Sequence, residues 1–256
     1  MVAFGGIIES ECFIPTRLIR DNILLAQEVM HSIGLGKNDW NVVLKRDMAT
    51  AYDRVDWDFL QAMLARFPLW LRLIANCTQH CWFSVMVNGG LSGFFKSSRG
   101  LWQGDPLSLT LFVLASKYLS RGLSKLFDEN RLLGFVGSYG VSHLAYVDDV
   151  LIFINSNEYS LSKVKDFLDD FTTTTDQSIN IFKSSFLVAP KAPALIIQRI
   201  KRLMGFVHKP FPFTYFGPLI YVGRKKSVLF EPLIEVLASK AAVGKRRCFL
   251  SGVAFN

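Results

Sequence analysis

The sequence predicts an α+β fold, and three observations carry that expectation. Apolar residues follow helical spacing in some stretches and strand spacing in others. Asn88-Gly89-Gly90 marks a hairpin turn between two strand-like runs. The hairpins are separated by helices, without the regular β–α–β alternation of a doubly wound parallel sheet.

Taken in order, residues 16–33 read as a helix, with Leu18, Asn22, Leu25 and Val29 on one stripe and Gly34 and Gly36 closing it. Val42, Val43 and Leu44 form a short β-branched run before Asp47, the pattern of a buried strand. Asp56 is placed to cap a helix whose Leu60, Met63, Leu64 and Phe67 fall at i, i+3, i+4 and i+7. Pro68 interrupts it, and a second helix is expected to run to Cys77. Residues 82–87 and 94–96 flank the Asn-Gly-Gly turn, and Pro106 opens a long helix to about Phe127, a first-turn position where proline is tolerated. Strands over 142–146 and 150–154 are expected to flank Val147-Asp148-Asp149. A helix over 158–171, a strand over 183–188, a helix over 194–204 and a strand-like stretch over 215–222 complete the series.

Half of the 256 residues are hydrophobic and only 20% are charged, so much apolar surface must be buried and a disordered chain is excluded. Four irregularly spaced Cys give no disulfide framework and fit a reducing compartment. Cys77, His80 and Cys81 cluster, but no second ligand pair accompanies them, and they read as helix-end packing residues. The longest apolar runs are short and broken by charges, so no membrane partner is expected. The first ten residues carry Glu9 and no basic start, unlike a secretory signal. The net charge of +8 is unevenly placed: residues 183–256 hold 13 of the 29 Lys and Arg but 2 of the 21 acids. Such a stretch suits a polyanion, or else forms a solvated basic face.

Asp148 and Asp149 interrupt an apolar strand pair. Two adjacent carboxylates there repel and lose hydration unless something neutralises them, whereas in an exposed turn they would be ordinary. A divalent cation with oxygen ligands, such as Mg²⁺, is one neutraliser. Asp47 also closes an apolar run, so acids from separate parts of the chain can meet at one sheet edge and make a two-metal site possible.

Three strings follow in order: Asp47-Met-Ala-Thr-Ala-Tyr-Asp-Arg-Val-Asp-Trp57, Ser98-Arg-Gly-Leu-Trp-Gln-Gly-Asp-Pro-Leu-Ser108 and Ala145-Tyr-Val-Asp-Asp-Val150. Upstream stands Phe13-Ile-Pro-Thr-Arg-Leu-Ile-Arg-Asp-Asn22. Downstream stand Ile179-Asn-Ile-Phe-Lys-Ser-Ser185 and Tyr215-Phe-Gly followed by Val222-Gly-Arg-Lys225. Together these resemble the successive motifs of reverse transcriptases, most of all the non-LTR, LINE-type retrotransposon enzymes abundant in plants.

The resemblance implies a reverse-transcriptase palm, an antiparallel sheet backed by helices, with partial fingers over residues 1–222 and the basic start of a thumb over 223–256. It also implies a chain truncated at both ends relative to the family and a nuclear setting. The implied activity is RNA-directed DNA polymerisation, with an RNA template, a DNA primer and dNTP as partners and two Mg²⁺ (or Mn²⁺) as cofactors. Asp47, Asp148 and Asp149 would be the metal ligands, and Lys183 would serve the pyrophosphate leaving group. Tyr52 would exclude a ribose 2′-OH, Gln103 and Gly104 would lie against nucleotide and template base, and Arg17 and Asn22 would lie near the template. Arg224, Lys225, Lys226, Lys245, Arg246 and Arg247 are candidate phosphate contacts. The alternative is a catalytically inactive retrotransposon remnant that at most binds nucleic acid.

Some positions depart from the pattern. Arg46 replaces an apolar strand residue and is expected to tilt or destabilise the strand bearing Asp47; Thr50 replaces a lysine, and Trp102 replaces an arginine.

Overall fold

The computed structural model describes residues 19–36, 39–49, 52–65, 67–79, 82–102, 104–129, 134–138, 140–146 and 149–223. The elements are α1 (Ile19–His31), β1 (Asn41–Ala49), α2 (Trp57–Leu64), α3 (Pro68–Gln79), β2 (Trp82–Val87), β3 (Gly90–Lys96) and α4 (Pro106–Glu129). They continue with β4 (His143–Tyr146), β5 (Asp149–Asn155), α5 (Glu158–Thr175), β6 (Ser178–Ile179), β7 (Ser185–Val188), α6 (Ala194–Met204), β8 (Val207–His208), β9 (Phe213–Thr214) and β10 (Leu219–Ile220).

The β-branched run at Val42 and Val43 sits at the heart of the main sheet, whose order is β4-β5-β1-β7-β8, with β6 paired to the far end of β1. Neighbours are antiparallel except β7 and β8, which run parallel. Alternation along β1 divides its side chains between two cores. Val42, Leu44 and Met48 pack with α4, α5 and α6 through Leu123, Leu168 and Ile200. Val43 packs on the opposite face with Val29 and Met30 of α1 and with Phe213 and Ile220. A third cluster joins α2, α3 and the start of α4 around Leu60, Ile74 and Phe112.

Local chemistry explains several element ends. Asp56 Oδ1 accepts a hydrogen bond from the Phe59 amide at 2.8 Å, the N-cap its position predicts. Asn88 and Gly89 both take positive φ (51° and 82°), so the β2–β3 connection has the backbone of a two-residue hairpin turn. At the junction of α1, β1 and the 134–138 loop, buried Asn41 donates to the carbonyls of Ser32 and Val136 and accepts from the Val136 amide.

The structure corrects three expectations. The stretch 215–222 is not one strand: Phe216 and Gly217 adopt positive φ (52° and 101°), which breaks it between β9 and β10. β7 begins at Ser185 rather than at residue 183, because residues 181–183 turn and the Ser184 amide closes on the Asn180 carbonyl at 2.8 Å. The tilt expected of Arg46 is absent, since β1 stays paired to β5 through Asp47 with the guanidinium buried, whereas the expected cost in stability is not countered by this pairing.

Candidate active site

Asp47 and Asp149 are directly opposed partners across the β1–β5 ladder, and Tyr146 lies opposite Asp149 on β4. Directly opposed residues share a face, so these two carboxylates stand on one side of the sheet, where like charges repel. The strand period puts Lys45 on that face too, and its Nζ lies 3.2 Å from Asp149 Oδ2 with both side chains largely buried. This ion pair was missed from sequence, although a lysine two residues before Asp47 on a strand must share its face. Tyr146 flanks the site and meets Phe216 edge-on, with ring centroids 4.9 Å apart.

The end of β1 is held by its own backbone. The Asn180 amide donates to the Asp47 carbonyl at 3.0 Å, and Ser184 Oγ accepts from the Asp47 amide at 3.2 Å. Lys183 therefore sits in an exposed turn directly attached to the strand that carries Asp47. Its amide donates to Asn180 Oδ1 at 3.2 Å, which fixes the turn.

β4 ends at Tyr146 and β5 begins at Asp149, so Asp148 falls in their two-residue connection and lies outside the described residues. Gln103, Arg17, Arg224, Lys225, Lys226, Lys245, Arg246 and Arg247 also lie outside them. Asn22, expected near a template, is buried in α1.

Tyr52 is half-buried and stacks on Phe112 at 4.6 Å between centroids, while its carbonyl accepts from the Leu101 amide at 2.8 Å. The Gly100 amide donates to Val55 at 2.9 Å, and Trp57 Nε1 donates to the Gly100 carbonyl at 2.8 Å. The segment after β1 is thus bound alongside the segment that leads to Gly104. Gly104 is exposed and has φ of +99°, a backbone conformation that favours glycine. Asp176, at the end of α5, links both segments by pairing with Arg54 and Arg99. No local pattern announces this node, since its members are far apart in sequence.

Two opposed carboxylates with one lysine as counter-charge form an all-oxygen donor pair of the kind hard divalent cations prefer, so the residues fit Mg²⁺ or Mn²⁺. Among the described residues no three His, Cys, Asp or Glu side chains converge as a metal-binding group.

Residues 13–220 match the family described as reverse transcriptase (RNA-dependent DNA polymerase). The chain belongs to the reverse transcriptase family. It is 37% identical over 73 residues to an uncharacterized mitochondrial protein of Arabidopsis thaliana, a match covering 27% of this chain and 60% of that one. It is 28% identical over 184 residues to the uncharacterized 149 kDa protein of transposon TX1 from Xenopus laevis, covering 68% of this chain and 13% of that one. The matches therefore span less than two thirds of either relative. Among solved structures, telomerase from Candida tropicalis in complex with a fragment of telomeric RNA aligns with a TM-score of 0.55 and 18% identity, over 79% of this chain and 31% of that one. Apo telomerase of the same organism, truncated from its C-terminal domain, aligns at 0.52 and 20%, over 72% and 37%. The sheet and its helices form a reverse-transcriptase palm. Among the described residues no helix is long and apolar enough to cross a membrane.

Proposed function

We propose that this chain extends a DNA primer on an RNA template, and that it is of the non-LTR, LINE type. The observation that carries the reading is the opposed pair Asp47 and Asp149 on one face of a palm sheet, beside the connection containing Asp148. The transposon TX1 relative supports a transposon origin, and the LINE type rests on the order of the sequence motifs. The telomerase bound to a telomeric RNA fragment supports an RNA partner for a palm of this shape.

Asp47, Asp148 and Asp149 would hold two divalent cations. When bound, these supply a more acidic primer 3′-OH and charge neutralisation at the phosphates. The other roles belong to the chain's own side chains. Lys45 offsets the charge of Asp149 and limits repulsion with Asp47. Tyr52, pinned by Phe112 and the Leu101 amide, would present its edge to the sugar and select deoxyribose. Gly104, lacking a Cβ, would let backbone approach the nucleotide beside Gln103. Lys183 would donate a proton or a positive charge to departing pyrophosphate, and Arg17 would steady the template. Arg224, Lys225, Lys226, Lys245, Arg246 and Arg247 would grip duplex phosphates, an affinity that falls steeply with salt.

The test is incorporation of dNTP on a primed RNA in Mg²⁺. The parent chain is expected to extend the primer, and Asp148→Asn and Asp47→Asn to lose about a hundredfold or more of the rate, because metal catalysis is worth several kcal/mol. Retained nucleic-acid binding with no extension by the parent would support the inactive-remnant reading instead.

A further inference from the structure

We propose that Trp102, backed by Phe83, and the cavity beside it receive one unpaired base of a single-stranded nucleic acid. The proposal rests on nucleic acid being this chain's substrate, but it concerns a surface apart from the carboxylate pair. The cavity measures about 380 Å³ and is lined by Asp53, Trp57, Phe83, Arg99, Trp102 and Asp105 among others. That volume lies toward the lower end of small-ligand sites.

The aromatic arrangement is layered. Phe83 lies stacked on Trp102 with centroids 5.5 Å apart and planes at 25°, and Phe95 packs against Phe83 at 5.9 Å. Trp102 nevertheless remains 64% exposed, so one ring face is supported while the indole stays open to solvent. A supported aromatic with an open face is the platform on which unpaired bases stack. Trp57 cannot swing away, because its Nε1 is held by the Gly100 carbonyl.

On α3 and β3, Arg72 and Lys96 are exposed cations, whereas Arg99 is paired with Asp176. From residue 59 to residue 104 the sequence contains Arg66, Arg72, Lys96 and Arg99 and no Asp or Glu. Lys96 Nζ lies 4.8 Å from the Trp82 ring centroid, so cation and aromatic surface alternate along the hairpin. The apolar side chains exposed on β2 and β3, including Met86, Leu91 and Phe94, would also suit a protein partner. The exposed cations Arg72 and Lys96 suit the backbone of a strand, and the family's substrates are nucleic acids, which selects a nucleic-acid strand over a second copy of this chain.

Inside the cavity the chemistry is different. Asp53 and Asp105 are acceptors, and Asp105 Oδ1 already takes the Leu107 amide at 3.2 Å. Carboxylates repel phosphate but accept hydrogen bonds from exocyclic amino groups. The site therefore takes the base, with its phosphates left outside, and favours cytosine or adenine over uracil.

The experiment measures the affinity of the full chain for two fluorescent RNA–DNA duplexes, one blunt and one with an unpaired cytidine overhang on the RNA. The parent is expected to bind the overhang duplex more tightly. Trp102→Ala should weaken that complex about fivefold to a hundredfold, the worth of one stacked base, and leave blunt-duplex binding unchanged. Trp102→Phe should recover most of the loss, and an oligouridine overhang should bind less well than oligocytidine. Equal binding of the two duplexes by the parent, or no effect of Trp102→Ala on the overhang, would overturn the stacking site while leaving the polymerase reading in place. Failure to bind either duplex would overturn both. Loss of self-association in Trp102→Ala, seen by sedimentation with RNA binding intact, would overturn it in favour of an interface between copies.

Discussion

Arg46 has no hydrogen-bond partner for any guanidinium nitrogen among the described residues, and burial lowers its pKa to about 10. It therefore keeps its charge at neutral pH inside an apolar layer. Among the described residues it is compensated by the face of Phe171, 4.9 Å from the ring centroid, worth about 2 kcal/mol when desolvated. The effective penalty for burying an unpaired ion is several kcal/mol, so desolvation wins. Arg46→Met is expected to stabilise the protein by about 2 kcal/mol in urea unfolding; an equal destabilisation would show that the charge is satisfied. His143 presents the opposite case, a buried group that desolvation keeps neutral. Ser120 Oγ lies 2.6 Å from its Nε2 and Ser142 Oγ 2.9 Å from its Nδ1, and burial lowers its pKa from 6.5 to about 4. Between those values the unfolded chain binds the proton more readily, so stability falls as pH drops from 6.5 towards 4, by about 3 kcal/mol in all. In His143→Gln that part of the pH dependence should vanish from the melting curve.

At the scale of elements, β1 depends on a few polar contacts at its ends as much as on its valines. Asn41 ties its first residue to α1 and the 134–138 loop by three hydrogen bonds. Asn41→Leu would leave the Ser32 and Val136 groups unpaired, and a loss of about 2 kcal/mol or more is expected by thermal melting. The elements were legible wherever local chemistry decides them. The Asp56 cap, the Asn88-Gly89 turn, the Pro106 helix start and the alternation through Val42 and Val43 all act within a few residues. What was not legible is decided at a distance. The ladder that sets Asp47 opposite Asp149 spans about a hundred residues of chain, and the Arg54–Asp176–Arg99 node joins three separate segments. The split of residues 215–222 comes from positive φ at Phe216, a residue whose side chain gives no warning of it.

For the whole molecule, the palm sheet separates two tasks. Its helix-backed face holds the larger core, and its other face carries α1 and, at one end, the Lys45, Asp47, Tyr146 and Asp149 group. Motif order showed the family and the acids, while the counter-charge on Asp149 and the backbone clamp from Ser184 and Asn180 emerged only in three dimensions. The basic stretch after residue 183 adds a further expectation: retention on a polyanion should fall steeply with salt and be lost when residues 223–256 are removed. The central claim is that the opposed carboxylates form the cation site of a polymerase palm. Its most direct test is Mn²⁺ binding, followed by electron paramagnetic resonance in the presence of a dideoxy-terminated primer on RNA and the next dNTP, which allows no turnover. Protein-dependent Mn²⁺ binding should be present in the parent and strongly weakened in Asp47→Asn and Asp149→Asn, with circular dichroism unchanged. Mn²⁺ binding that survives both substitutions in folded protein would contradict the claim.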